Sequence, residues 1–233
     1  GINTAEDIIE IIQLRDFLRF TVGCKTDQDH FVPGDHELGY LLPLSVDPEC
    51  GINLASITNF QRILGPLFDA WKIGDFHFVT ISSSLFIQST DHLAYSERRE
   101  IESLEQEQAK FLTEYLLNVQ AKQMVFLFLH DPDAIELIDK LPGAEKITQV
   151  FCGHIHTDKN LRGYQRLGKF ANSFWGRLFL RSVGLFFNRL KRVNKVITWA
   201  KGNPRRLVLF EKYNLQIVPA VCETKGFLIL ELH

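Results

Sequence analysis

Two short apolar runs on either side of one helix-length segment constrain the fold more than any other feature of the sequence. The runs are MVFLFL (124–129) and ITQVF (147–151), and polar residues bound both of them. Short apolar runs bounded in this way are typical of buried strands. The segment 133–141 between them is predicted to be a helix. Strand and helix therefore alternate here, which predicts an α/β domain with a layered sheet core.

Other helices and strands are predicted from the spacing of apolar residues. A helix is expected at 4–20, where Thr4 is the N-cap candidate and Asp7 follows three residues later, and a second, amphipathic helix at 97–119. The segment 41–60 is rich in Pro, Ser, Asn and Gly and is predicted to be a long surface loop. Further strands are predicted at 30–33, 75–83, 206–210, 215–221 and 226–232.

The composition is that of an ordinary globular protein, but its charge is unevenly distributed. The 233 residues are 45% hydrophobic and carry 26 Lys+Arg and 28 Asp+Glu, which excludes collagen-like, disordered and disulfide-stapled classes. Residues 159–212, however, contain 14 Lys+Arg and a single acid, Glu211. The four cysteines form no Cys-x-x-Cys pair, so neither a thiolate zinc site nor a redox motif is indicated, and we expect a reducing, cytoplasmic environment.

Three polar clusters each follow a predicted strand directly. They are Gly-Asp-His-Glu (34–37), His-Asp-Pro (130–132) and Gly-His-Ile-His (153–156). Because ligands bind at the carboxyl ends of strands in α/β sheets, we expect these clusters to meet at one edge of the sheet. Imidazole and carboxylate groups together suit zinc, manganese or iron. The ordered trio therefore predicts a metal site, although each cluster alone is more often an ordinary loop or strand end.

The sequences PGDHE (33–37), HDP (130–132) and CGHIH (152–156) resemble, in this order, motifs of the calcineurin-like metallophosphoesterases. The resemblance implies an α-β-β-α sandwich of two mixed sheets and two divalent metal ions, Mn, Fe or Zn, of unknown identity. It implies that His36 is catalytic, in contact with the phosphate or protonating the leaving oxygen. The metal ligands that it implies are Asp35, His130, His154 and His156.

The chain departs from the family pattern in two ways. Asp35 stands where the family has Asn, and an ionised carboxylate only accepts hydrogen bonds and adds negative charge beside an anionic substrate. The family's Asp-x-His and Gly-Asp-x-x-Asp motifs are not found before residue 34, so we expect the chain to begin just after the second motif and to lack the first strands of the fold. An Asp-x-His at 75–77 opens a predicted strand, so we interpret it as structural.

A basic, aromatic segment lies between the third cluster and the predicted terminal strands. On a helical wheel, residues 169–201 place aromatic and aliphatic side chains opposite basic ones, which is typical of a helix lying on an anionic membrane surface. The slightly favoured alternative is a helix that docks on the acidic part of its own chain. No nucleic-acid-binding motif accompanies the charge, so nucleic acid is not an expected partner. The predicted membrane contacts are Trp175, Arg177, Phe179, Arg181, Phe186, Lys191 and Lys195.

These observations predict a metal-dependent hydrolase of phosphate esters or pyrophosphates, which acts with two divalent metal ions when the first two strands of the fold are present. The substrate would be a phosphorylated small molecule or a lipid-linked one at a membrane surface, in the manner of the UDP-diacylglucosamine pyrophosphatases, with the protein cytoplasmic or peripheral to a membrane. The alternative is an interaction module of the same fold without catalysis, as in the retromer scaffold subunit. The predicted organisation is a partial phosphoesterase domain at 1–158, a basic insertion at 159–205 and terminal strands at 206–233.

Overall fold

A computed structural model describes residues 4–22, 29–39, 51–154, 170, 173 and 205–218. The chain divides into two compact units, Gly1–His154 and Ile155–His233. The boundary falls between the two histidines of the Gly-His-Ile-His cluster. In the part of the chain so described, no helix is both long and apolar enough to cross a membrane.

The first unit is built on a mixed sheet, which confirms the α/β class. Its strands, in the order in which they neighbour one another, are β1 (Asp69–Ile73), β2 (Phe76–Thr80), β3 (Met124–Leu129) and β4 (Ile147–Cys152). The β1 and β2 strands form an antiparallel hairpin, whereas β2–β3 and β3–β4 are parallel. The predicted strands at 124–129 and 147–151 are therefore confirmed.

Helices connect the parallel strands, as parallel pairing requires. The connection from β2 to β3 contains α4 (Ser83–Ile87) and the long α5 (Tyr95–Asn118). The connection from β3 to β4 is a 3₁₀ turn, Pro132–Ala134, followed by α6 (Ile135–Ile138) and a second 3₁₀ turn, Ala144–Lys146. The single helix predicted at 133–141 is thus divided. Asp131 caps its first turn by accepting a hydrogen bond from the Asp133 N–H.

The helices before β1 pack around a common apolar core. The α1 helix (Ala5–Val22) begins as predicted, because Thr4 and Asp7 each accept a hydrogen bond from the other's backbone N–H. Next come α2 (Asp35–Leu38) and α3 (Leu54–Ile63). Together with residues from the α4 and α5 helices, they bury Leu38, Ile52, Ile57, Phe60, Ile63, Leu67, Leu85 and Ile101.

Three predictions about this region are wrong. The loop predicted at 41–60 contains the start of α3, which Asn53 caps by accepting the Ser56 N–H and whose buried Ile57 and Phe60 recur at helical spacing. Residues 30–33 form no strand, since Pro33 lacks an N–H to donate and no described residue forms a backbone ladder with this segment. The Gly-Asp-His-Glu cluster (34–37) therefore does not follow a strand; Gly34 is the N-cap of the one-turn helix α2, and the other three residues begin it.

The second unit is described only at 170, 173 and 205–218. Residues 205–212 form a helix, which we call α7, and β5 (Gln216–Ile217) follows it. The strand predicted at 206–210 is therefore wrong. Leu209, Phe210 and Tyr213 are buried while Val208 is exposed, a spacing that suits one face of a helix and not the alternation of a strand. The predicted strand at 226–232 and most of the basic segment 169–201 lie outside the described residues.

Candidate metal centre

Three separate segments bring Asp35, His130 and His154 together at the carboxyl edge of the sheet. Asp35 is the first residue of α2, His130 directly follows β3, and His154 lies two residues beyond β4. Leu129 and Cys152, the last residues of the two strands, are register partners, so the chain leaves both strands side by side. The carbonyl oxygen of His130 then accepts hydrogen bonds from the N–H groups of Gly153 and His154. These bonds fix the two histidines relative to each other.

The side chains converge as the sequence predicts for metal ligands. His130 Nε2 lies 2.8 Å from Asp35 Oδ1, and His154 Nδ1 lies 3.5 Å from Asp35 Oδ2 and 3.3 Å from His130 Nε2. Two ligand atoms that each lie about 2.1 Å from a metal ion at a tetrahedral angle are about 3.4 Å apart. One oxygen and two nitrogen donors therefore lie close enough to bind one metal ion, the sole such group of three among the described residues.

The carboxylate of the candidate metal centre is buried. Asp35 is 5% exposed, and a buried carboxylate is costly unless it is paired or hydrogen-bonded. Burial by itself lowers the pKa of His130, but the hydrogen bond to Asp35 and the negative charges of Asp35, Glu37 and Asp131 outweigh it and raise that pKa. A metal ion and a proton therefore compete for His130, so we expect metal binding to weaken at acidic pH.

Two glycines make room for the His130 ring. A Cβ atom added at Gly34 would lie 2.5 Å from Glu37 Oε2 and 3.2 Å from His130 Nδ1. A Cβ atom at Gly153 would lie 3.5 Å from the same nitrogen, at ordinary contact distance. Gly34 also donates its N–H to Glu37 Oε2, which fixes the start of α2. The glycine at 34 is therefore the stricter requirement, because any side chain there displaces either Glu37 or the histidine.

The side chains of the remaining predicted site residues lie outside the described part of the structure. His36 lies on α2 beside Asp35, and its side chain is outside the described part of the structure. His156 and the predicted membrane contacts from Trp175 to Lys195 also lie outside it.

The Asp-x-His at 75–77 lies at the amino end of β2, where His77 is hydrogen-bonded to the Tyr115 hydroxyl at 2.8 Å. It therefore lies at the sheet edge opposite the metal centre.

A second polar group lies at the carboxyl edge of the sheet, the same edge as the metal centre, and it was not predicted from the sequence. His30 Nδ1 lies 3.0 Å from Asp69 Oδ2, and the His30 ring stacks on Trp71 with 3.6 Å between ring centres. The pair lines a cavity of about 190 Å³ whose wall includes Thr80. Thr80 is the register partner of Phe128, which places it roughly 8 Å from His130 across the sheet. His30 and Asp69 are 39 positions apart in the sequence, so no local pattern predicts their contact.

Comparisons with protein-family models, with curated proteins and with solved structures give no significant match for this chain.

Proposed function

We propose that this protein is a metal-dependent hydrolase of phosphate esters or pyrophosphates, of the calcineurin-like metallophosphoesterase kind. The observation that carries the proposal is the meeting of Asp35, His130 and His154, which come from three distant segments and were selected from their motif order. The proposal includes a second metal position, with His156 as one of its ligands, and Mn, Fe or Zn as the ions. It also includes an α-β-β-α sandwich in which the mixed sheet is one of two sheets.

The residues of the centre suit this chemistry. Divalent metal ions bound there would supply Lewis-acid polarisation of a phosphoryl oxygen. Asp35 and His154 offer an oxygen and a nitrogen donor 3.5 Å apart, and Asp35 is buried. We assign to His36, the next residue along α2, the protonation of the leaving oxygen, since an imidazole titrates near neutral pH.

The substrate class is proposed from charge. The basic segment 169–201 favours a lipid-linked phosphate or pyrophosphate at an anionic membrane surface, with the protein cytoplasmic and peripheral to that membrane. Binding to anionic vesicles that falls with rising salt and is lost on deletion of 169–201 would support this assignment. Binding that the deletion leaves unchanged would contradict it.

One specific observation favours the alternative of an interaction module without catalysis. The ionised Asp35 carboxylate faces both histidines, and an anionic substrate entering there meets its negative charge. We therefore expect Asp35→Asn in the metal-loaded protein to strengthen phosphate binding and lower KM. Unchanged kinetics would contradict this role for Asp35.

The test measures metal content and hydrolysis of bis-p-nitrophenyl phosphate by the purified protein. We expect His130→Ala and His154→Ala to lose both metal and activity. His92→Ala is the matched control, because His92 is half-buried and hydrogen-bonded to the Ile52 carbonyl oxygen away from the centre. Absence of bound metal from the unsubstituted protein would refute the hydrolase and leave the interaction module, whereas bound metal without turnover is the result expected if the Asp-x-His and Gly-Asp-x-x-Asp ligands are needed for activity.

A further inference from the structure

The structure contains a largely buried carboxylate beside the centre that the proposed chemistry does not use. Asp131 follows His130 directly, and its Oδ2 atom lies 3.9 Å from His154 Nε2. Its side chain is 18% exposed. Keeping a carboxylate in such a setting is costly, so its position calls for a physical account.

The surroundings of Asp131 hold it in place. Its N–H donates to the Ser83 hydroxyl at 2.9 Å, and its Oδ1 atom accepts the Asp133 N–H at 2.9 Å. The start of α4, which carries Ser83, is itself held by α5, because Gln108 accepts the Ser82 N–H and donates to the Ser82 carbonyl oxygen. The Oδ2 atom is thus directed at His154 by bonds that fix the rest of the residue.

His154 faces carboxylates through both ring nitrogens. Its Nδ1 atom faces Asp35 and His130 in the candidate centre, and its Nε2 atom faces Asp131. A histidine that gives one ring nitrogen to a metal ion keeps its proton on the other, and a carboxylate facing that proton orients the ring and raises the basicity of the donor nitrogen. At 3.9 Å the contact with Asp131 is electrostatic and too long for a hydrogen bond.

We propose that Asp131 is a positioning residue that holds the His154 proton on Nε2 and thereby makes Nδ1 a metal donor. This inference rests on the metal centre proposed above. It assigns a role to Asp131, the middle residue of the His-Asp-Pro sequence, and through Asp131 to the buried residues Ser82 and Ser83. The motif resemblance supplied no role for any of these residues.

The test compares zinc affinity in Asp131→Asn, Asp133→Asn and the unsubstituted protein by competition with a chromophoric chelator. Asparagine at 131 retains the shape and the acceptor for the Asp133 N–H but lacks the negative charge. We expect its zinc Kd to rise about 3- to 10-fold, less than the 10- to 100-fold effect of removing a hydrogen-bonded partner, because the 3.9 Å contact is electrostatic. Asp133→Asn removes the same charge two residues away and is expected to leave Kd within about twofold of the unsubstituted value, since the structure places Asp131, not Asp133, against the His154 ring.

Two further readouts separate positioning from general destabilisation. The urea midpoint of metal-free Asp131→Asn should stay close to that of Asp133→Asn, while the ¹⁵N and ¹H signals of the His154 Nε2–H in the zinc-loaded protein should shift in Asp131→Asn alone. Equal zinc affinity in the two variants, or an unshifted His154 signal, would overturn the proposal and leave the hydrolase untouched. Zinc binding without phosphodiester hydrolysis would leave this proposal standing, whereas an unsubstituted protein that binds no zinc would overturn both this proposal and the hydrolase.

Discussion

Replacing Gln108 by alanine should destabilise the protein far more than an alanine substitution elsewhere on the same helix. Gln108 is 0% exposed and makes two hydrogen bonds to the backbone of Ser82, at 2.8 and 3.0 Å. Truncation leaves the buried Ser82 N–H without a partner, at about 1–3 kcal/mol, and removes one of two hydrogen bonds to the Ser82 carbonyl oxygen, at about 0.5–1.5 kcal/mol, since Ser82 is also the N-cap of α4. The expected loss is therefore roughly 1.5–4.5 kcal/mol of unfolding free energy.

The assay is urea unfolding followed by circular dichroism, with Gln106→Ala as the matched control. Gln106 lies on the same helix, α5, and is exposed, so its replacement should change the unfolding free energy by no more than about 0.5 kcal/mol. With an m-value of about 1–3 kcal/mol/M, a loss of about 3 kcal/mol lowers the urea midpoint by roughly 1–3 M. Equal midpoints for the two variants would refute the role given to these hydrogen bonds.

Gln108→Glu separates the hydrogen bonds from side-chain volume. The introduced carboxylate has nearly the same shape and still accepts the Ser82 N–H, but it carries a buried charge and has no proton to donate to the Ser82 carbonyl oxygen. Protonation of this carboxylate restores the donor. Burial raises the folded-state pKa of this carboxyl above the ordinary value of about 4.3, so we expect the destabilisation to shrink as the pH falls through the raised pKa and to be smallest below about 4.3. A cost that does not change with pH would show that volume, and not hydrogen bonding, is the main contribution.

Three more predictions follow from the site. The interactions that raise the pKa of His130 stabilise the metal-free protein at pH values below the unfolded-state pKa, and this contribution is lost as the pH rises through the folded-state pKa. Unfolding at several pH values in the presence of a chelator should show this loss of stability. The Asp35→Asn substitution should make the loss smaller. Gly34→Ala should cost about 1–3 kcal/mol in urea unfolding and weaken metal binding, because the new methyl group meets Glu37 Oε2 at 2.5 Å; an unchanged midpoint would contradict that clash. Burial and the charge of Asp131 raise the pKa of Cys152 to about 12, so alkylation mapped by mass spectrometry should label it only after unfolding, and rapid labelling of the folded protein would contradict this.

The central strands and the core of the site could be predicted from the sequence. The run at 124–129 is apolar without interruption, and a strand buried on both faces leaves that pattern whatever its neighbours are. The run at 147–151 contains Thr148 and Gln149, and these are its more exposed positions. His130, at a strand's end, and His154, two residues past the next, could be expected to meet for the same reason, since neighbouring parallel strands end at one edge. The capping exchange between Thr4 and Asp7 is likewise local and was predicted.

Elements whose burial depends on distant residues were predicted poorly. The start of α3 lies in a segment rich in loop-forming residues, and it is helical because Ile57 and Phe60 face a core supplied by other helices. The β1 strand was missed altogether, because it is half-exposed and its pairing with β2 defines it more than its own pattern does. Residues 206–210 have strand-like composition but form a helix, since their burial follows a helical spacing.

What the sequence by itself determined is the set of groups that follow the strands and the order in which they occur. Strand ends are read from local hydrophobicity, so the meeting of His130 and His154 at one edge could be inferred from sequence position and strand topology. Only the tertiary structure decided that Asp35, which follows no strand, joins them, and which groups surround the centre. These are Asp131 beside His154, the hydrogen bond from the Asp131 N–H to Ser83, and the Gln108 contact that holds the start of α4. Those contacts join residues up to 48 positions apart, and their free energy depends on burial and orientation, which no local pattern encodes.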